Sequence, residues 1–277
     1  MPEPSFHPSN FMLIPTAACQ ASCVYCFGPN RGETMPRRIA DRALAFMARI
    51  APAESSVHVT FHGGEPLLAG ADYYEYVLPR LTELFGRRLR LSMQTNLLAL
   101  DERMADLIHD HRIAVGTSVD GDEALCDAQR GAGYYAANER GRNLLRQRGV
   151  DVSRICTLTR VSAGEAARVF RHYAGEPPLI GLPYSLHGAV RTLGKESNAH
   201  TVTADDMAHI LLDTLAVYRQ NMAQTRVSTL DAMAKGCFDG EGHICTFFPC
   251  LGRFAAIAPD GGVYSCQRFC GHAEFAL

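Results

Sequence analysis

The 277-residue sequence contains no apolar run approaching the ~20 residues that a membrane span requires. Its first residues, MPEPSFHPSNF, carry neither a basic region nor a long apolar core, so they are not a signal peptide. Net charge is only −2, which leaves no polybasic surface for nucleic acid or membrane. Without a secretion signal, the ten cysteines do not read as a disulfide framework. They read as metal-binding or catalytic thiols in a reducing cytoplasm. Apolar content of 47% and charge of 20% are those of an ordinary globular protein. A single α/β barrel reaches about 250 residues as one domain, so length demands no second core.

Cys19, Cys23 and Cys26 follow directly on the apolar run Phe11-Met12-Leu13-Ile14-Pro15. Closely spaced thiolates suit a soft metal centre, zinc or iron–sulfur. A closed site wants four protein ligands, and no fourth Cys or His follows nearby. Three thiolates on a four-iron cluster would leave one iron open to an outside ligand. A lone Cys would be an inert core residue, but three at this spacing in a Gly/Pro/Asn-flanked loop are not. Zinc is the competing metal.

Short β-branched or apolar runs alternate along the chain with amphipathic stretches. The pattern predicts strands over 11–15, 56–61, 89–94, 113–119, 152–159 and 179–185, and helices over 36–50, 71–85, 101–111, 134–148, 163–173 and 204–222. Ser162–Glu165 and Thr203–Asp206 read as capping boxes. Such alternation implies a parallel sheet, here a partial (β/α)6 TIM-like barrel over 1–225, with its chemistry at the C-terminal ends of the strands. The unusual residues fall at those ends. Strand two ends in His62-Gly63-Gly64-Glu65-Pro66, whose paired glycines allow close backbone approach to a ligand. Strand three ends in Gln94-Thr95-Asn96, which alone is a common turn composition. Strand four ends in Ser118-Val119-Asp120-Gly121, and Arg130 follows. A guanidinium there suits a carboxylate as a charged fork, although Arg130 in isolation reads as a solvated surface charge. Cys156 reads as core, Cys126 has no motif around it, and of the histidines only His62 sits within one.

The cysteine triad and the HGGEP string together resemble the radical S-adenosylmethionine (SAM) superfamily. The resemblance implies a [4Fe-4S] cluster on Cys19, Cys23 and Cys26 whose open iron chelates SAM. Reductive cleavage of SAM to methionine and a 5′-deoxyadenosyl radical would follow, with hydrogen abstraction from the substrate. It also implies SAM contacts at Tyr25, Gly63, Gly64, Glu65, Pro66, Gln94, Asn96, Ser118, Asp120 and Arg130, with Leu182 beside the adenine. It assigns no catalytic base.

Past the long helix the composition changes. Residues 226–277 hold Cys237, Cys245, Cys250, Cys266 and Cys270, and Pro259-Asp260-Gly261-Gly262 reads as a hairpin turn. This is similar to the SPASM or twitch extension of radical SAM enzymes. That resemblance implies an auxiliary iron–sulfur cluster on Cys245, Cys250 and Cys266, with Cys270 as a local fourth ligand. A full extension carries more cysteines than precede Leu277, so a truncated segment is expected. In the sulfatase-maturing branch an Asp base follows the third auxiliary cysteine; here Gln267 stands there and takes no proton at neutral pH. The expected activity is therefore modification of a ribosomally made peptide or protein, by a cytoplasmic enzyme reduced by a donor such as flavodoxin or ferredoxin. Only ten residues precede strand one, so no leader-peptide domain is expected there. The alternatives are a sulfatase-maturase-like or small-molecule radical SAM dehydrogenase, and a non-catalytic zinc-binding scaffold.

Overall fold

The computed structural model describes residues 8–26, 28–175, 184–188, 199–223, 225–244 and 250–277, with backbone alone for 184–188. Leu182 and Cys245 lie outside the described residues. The strands are β1 (Asn10–Thr16), β2 (Val57–Gly63), β3 (Leu89–Thr95), β4 (Ala114–Ser118), β5 (Val152–Leu158), β6 (Tyr184–Gly188), β7 (Phe254–Ile257) and β8 (Val263–Tyr264). They form one sheet in the order β6-β5-β4-β3-β2-β1-β7-β8. β1 to β6 pair in parallel with their chain neighbours. The α/β reading therefore holds, and the parallel pairing runs from β1 to β6; of the strand predicted over 179–185, residues 179–183 lie outside the described residues.

The side-chain period of two sorts each strand between two faces. On β2, Val57, Val59 and Phe61 are fully buried. They pack with Phe11, Leu13 and Met93 against α1 (Arg37–Ile50), α2 (Ala71–Phe85) and α3 (Glu102–Asp110). Ile39, Ala40, Ala43, Leu44 and Met47 make the apolar stripe of α1, and Tyr74, Val77, Leu78 and Leu81 that of α2. The opposite sheet face is polar. Thr60 and Ser92 stand opposite each other in register and share a 2.8 Å hydroxyl–hydroxyl hydrogen bond. His62, Gln94, Ser118 and Thr157 continue that face towards the C-terminal strand ends. A polar inner face beside an apolar outer one leaves room for a ligand on one side of the sheet only.

Two helices lie beyond those expected from sequence, α4 (Glu123–Arg130) and α8 (Ser228–Asp239), flanking α5 (Tyr134–Arg146), α6 (Ala166–Gly175) and α7 (Ala204–Asn221). α4 is only eight residues, too short for its period to stand out, and Asp122 caps it by accepting from Leu125 N. The capping box at Thr203 forms as expected. The one at Ser162 does not. The Ser162 hydroxyl donates to Gln129 Oε1 at 2.8 Å and accepts from Thr159 N at 2.9 Å, so a 3-10 turn precedes α6 instead. At the other sheet edge β7 pairs in parallel with β1, from Asn10↔Phe254 to Leu13↔Ile257. The expected hairpin follows: Ala258 N donates to Gly262 O at 2.8 Å, and β7 and β8 run antiparallel.

Candidate active site

The loop after β1 carries Cys19, Cys23 and Cys26 over the C-terminal ends of the strands. It closes on itself through bridges Thr16↔Thr34 and Ala18↔Asn30. It is pinned to α4 from outside: Ser22 N donates to Arg130 O at 3.2 Å and Val24 N to Gln129 O at 2.9 Å. The three cysteines line one cavity of about 310 Å³. Each sulfur has a donor. Asn96 Nδ2 reaches Cys19 Sγ at 3.6 Å, Arg130 Nη1 reaches Cys23 Sγ at 3.8 Å, and Gly28 N reaches Cys26 Sγ at 3.4 Å. Burial raises the Cys19 thiol, and pushes Cys23 up to about 11 with Arg130 pulling the other way. Among the described residues, no three His, Cys, Asp or Glu side chains gather closely enough to hold a single ion.

Gly63 and Gly64 line the same cavity, and their backbone also supports the cysteine loop. Gly64 N donates to Thr16 O at 3.1 Å and Glu65 N to Ala18 O at 2.7 Å. A Cβ on Gly64 would stand 2.3 Å from both Ala17 O and Ala18 O. The missing side chain is therefore required by the loop itself, ahead of any ligand. Glu65 is buried, and its carboxylate accepts from Thr95 Oγ1 at 2.5 Å, Asn96 N at 2.7 Å and Leu67 N at 3.0 Å. It ties the β2 turn to the β3 end. Burial still pushes its pKa up to about 7. Pro66 is buried and stands off the cavity, its carbonyl accepting from Tyr74 OH at 2.7 Å.

Gln94, Asn96, Ser118 and Arg130 converge on the cavity from β3, β4 and α4. Gln94 Nε2 donates to Ser118 Oγ at 3.3 Å. Asp120 does not reach the cavity: it is fully buried behind Arg130 and forms a two-point fork with it, at 2.7 and 2.9 Å. Tyr25 OH donates to the same carboxylate at 2.8 Å. Arg130, with 6% of its surface exposed, is no solvated charge. The rings of Tyr25 and Tyr134 flank its guanidinium at 5.3 Å each. Sequence reasoning missed Tyr134, whose hydroxyl donates to Ser118 O at 2.8 Å, and no local signal marked it. It also passed over Ile155 and Thr157, which line the cavity. Their alternation with buried Cys156 on β5 was a usable sign. Cys126 also has a place: its sulfur accepts from Asp120 N at 3.0 Å, steadying the turn that carries the carboxylate.

The C-terminal segment reaches the site through Arg268, which lines the cavity, and Gln267, whose Nε2 donates to Gly63 O at 3.3 Å. Cys270 lines an adjoining cavity of about 260 Å³ that shares Gly28, Gly63, Gly64 and Arg268 with the first. Burial pushes the Cys270 thiol up to about 12. Cys250 and Cys266 are half-buried at the outer ends of the β7–β8 hairpin and line neither cavity.

The profile of the radical SAM superfamily matches residues 13–172. An uncharacterized protein of Methanothermobacter thermautotrophicus is 30% identical over 230 residues, covering 82% of this chain and 86% of that one. A serine-type anaerobic sulfatase-maturating enzyme of Klebsiella aerogenes is 26% identical over 277 residues, covering 94% of this chain and 67% of the enzyme. Among solved structures, anSMEcpe with bound AdoMet and Cp18Cys peptide superposes with a TM-score of 0.82 at 20% identity, over 95% of this chain and 75% of that one. That likeness is one of fold. With most of the first six strands and the cysteine loop inside the matched region, the chain belongs to the radical SAM superfamily.

Proposed function

We propose that the protein reductively cleaves SAM and uses the resulting radical to modify a peptide or protein. The observation that carries this reading is the convergence of Cys19, Cys23 and Cys26 with Gly63, Gly64, Asn96, Ser118 and Arg130 on one cavity at the C-terminal strand ends. The donor set fits a [4Fe-4S] cluster: three thiols share the cavity, each with its own N–H partner. A bound cluster would supply the electron that cleaves SAM. The chain's own part is to hold and orient. Cys19, Cys23 and Cys26 would ligate the cluster, the Gly63–Gly64 backbone would receive the SAM amino group, and Ser118 and Gln94 would bond its ribose or carboxylate. The electron donor is a small redox protein such as flavodoxin or ferredoxin.

A peptide substrate is supported by the fold shared with anSMEcpe, which was solved with a bound peptide. Cys250, Cys266 and Cys270, with Cys245, would hold an auxiliary cluster. A second reading, oxidation of a sulfatase residue, is favoured by the Klebsiella relative. Against it, Gln267 offers no proton acceptor, and its amide is hydrogen-bonded to Gly63 O. The test is anaerobic reconstitution with iron and sulfide, followed by dithionite and SAM. Wild-type protein should form 5′-deoxyadenosine, and a Cys19→Ala/Cys23→Ala/Cys26→Ala variant should form none and lose ~4 irons. A colourless wild-type protein that holds zinc and is inert to SAM overturns the reading.

A further inference from the structure

The three sulfurs do not have equivalent surroundings. The donors at Cys19 and Cys26 are neutral, an amide side chain and a backbone N–H. The donor at Cys23 is a guanidinium, with Nη1 at 3.8 Å. Its Nε and Nη2 are both engaged by Asp120, so Nη1 is the edge turned to the sulfur. The carboxylate is itself locked, accepting from Thr157 N at 2.8 Å and from Tyr25 OH at 2.8 Å. The backbone fixes the other end of the same contact, because Arg130 O and Gln129 O accept from Ser22 N and Val24 N on either side of Cys23. A Cβ on Gly131 would stand 2.5 Å from Ser22 Oγ, so helix end and loop are already in close contact. Charge and sulfur are thus held together both through side chains and through backbone.

We propose that Arg130, clamped by Asp120, is a positioning residue that sets the reduction potential of the cluster on Cys19, Cys23 and Cys26 through a fixed positive charge beside Cys23. This rests on the functional reading above. Reduction adds one negative charge to the cluster, and a cation held in a protein interior stabilises the more negative state. Net charge and hydrogen bonds to the sulfurs are the recognised determinants of cluster potential. Asp120 opposes the effect from farther away, because its carboxylate lies behind the guanidinium. The pair therefore presents its positive end to the sulfur. This role is separate from any contact between Arg130 and SAM.

The experiment is a redox titration of the reconstituted protein without SAM, followed by the EPR signal of the reduced cluster. Arg130→Gln should lower the reduced-to-oxidised ratio at a given potential about tenfold, a shift of ~59 mV to more negative values for a one-electron couple. Arg130→Lys, which keeps the charge without the fork, should return most of the shift. Arg130→Gln strains the site by leaving the buried Asp120 carboxylate without its cation, although Thr157 N and Tyr25 OH still donate to it. The Arg130→Gln/Asp120→Asn double variant removes that strain and should still titrate below wild type. An unchanged SAM-free potential in an iron-loaded Arg130→Gln or double variant overturns the proposal, even if SAM binding weakens. An equal fall in Arg130→Lys overturns it too, since charge would not be the cause. A wild-type protein that takes up no cluster instead removes the functional reading on which the proposal stands.

Discussion

His62 and Glu65 stand in one turn, and the protein moves their protons in opposite directions. Burial lowers His62 from 6.5 to about 4, and the Gly63 N–H aimed at Nδ1 from 2.8 Å calls for a bare nitrogen there. Burial raises Glu65 from 4.5 to about 7. For His62 the unfolded chain binds more protons between about 4 and 6.5, so this contribution to stability is lost as pH falls through that window. For Glu65 the folded protein binds more between 4.5 and about 7, so its contribution is lost as pH rises through that window. The two slopes oppose each other in the wild type, and single variants should separate them. In urea titrations of metal-free protein, His62→Asn should gain on wild type as pH falls towards 4. Glu65→Gln should gain on wild type as pH rises towards 7. Curves parallel to wild type in both variants would show that neither proton is displaced by folding. His62 was placed within a motif by sequence. That Glu65 is a buried tie between two strand ends was not visible, because Thr95 and Asn96 come from the next strand.

At the scale of elements, α5 shows how closely a helix must approach the site's frame. Asn138 on α5 donates to Asn96 O at 2.8 Å and to Thr117 Oγ1 at 2.7 Å, holding the turn after β3. One turn on, Gly141 packs against Leu97, a buried residue at φ 62°. A Cβ on Gly141 would lie 2.7 Å from Leu97 Cβ and 2.8 Å from Leu97 O. A mid-helix Gly→Ala change ordinarily gains ~0.5–1 kcal/mol. Here overpacking opposes it at ~1–3 kcal/mol, and the neighbour is partly backbone, which gives way least. Gly141→Ala should therefore destabilise by ~1–2 kcal/mol in denaturant titration. A neutral or stabilised variant would mean that α5 can back away from the β3 turn. The apolar stripes of α1 and α2 were legible in sequence because each spans several turns. α4 was not, and the capping signal at Ser162 misled, since its hydroxyl found Gln129 from that unrecognised helix.

For the whole molecule, the sheet brings the C-terminal segment to the site. β7 lies against β1, and the chain after the hairpin reaches Gly63 through Gln267. The proposed auxiliary centre can be tested apart from the first, because Cys250 and Cys266 line neither cavity. A Cys250→Ala/Cys266→Ala variant should keep SAM cleavage and lose ~4 irons after reconstitution; iron content equal to wild type would remove that centre. No described helix is long and apolar enough to cross a membrane. The sequence by itself determined the strand–helix alternation, the cysteine loop, the Gly-Gly turn and the hairpin at Pro259–Gly262. These are local features, written in apolar period, residue spacing and turn chemistry. Only the tertiary structure decided what surrounds each of them. Arg130 reads as a surface charge until Asp120, Tyr25 and Tyr134 enclose it. Gly64 reads as a ligand contact, and the structure adds a second demand, because Ala17 O and Ala18 O leave no space for a side chain there. Cys126 has no motif and still holds the Asp120 turn. In each case the deciding partner lies on another strand or loop. A buried polar group must find its partner wherever the sheet register brings one, and that register is set by the packing of the whole core.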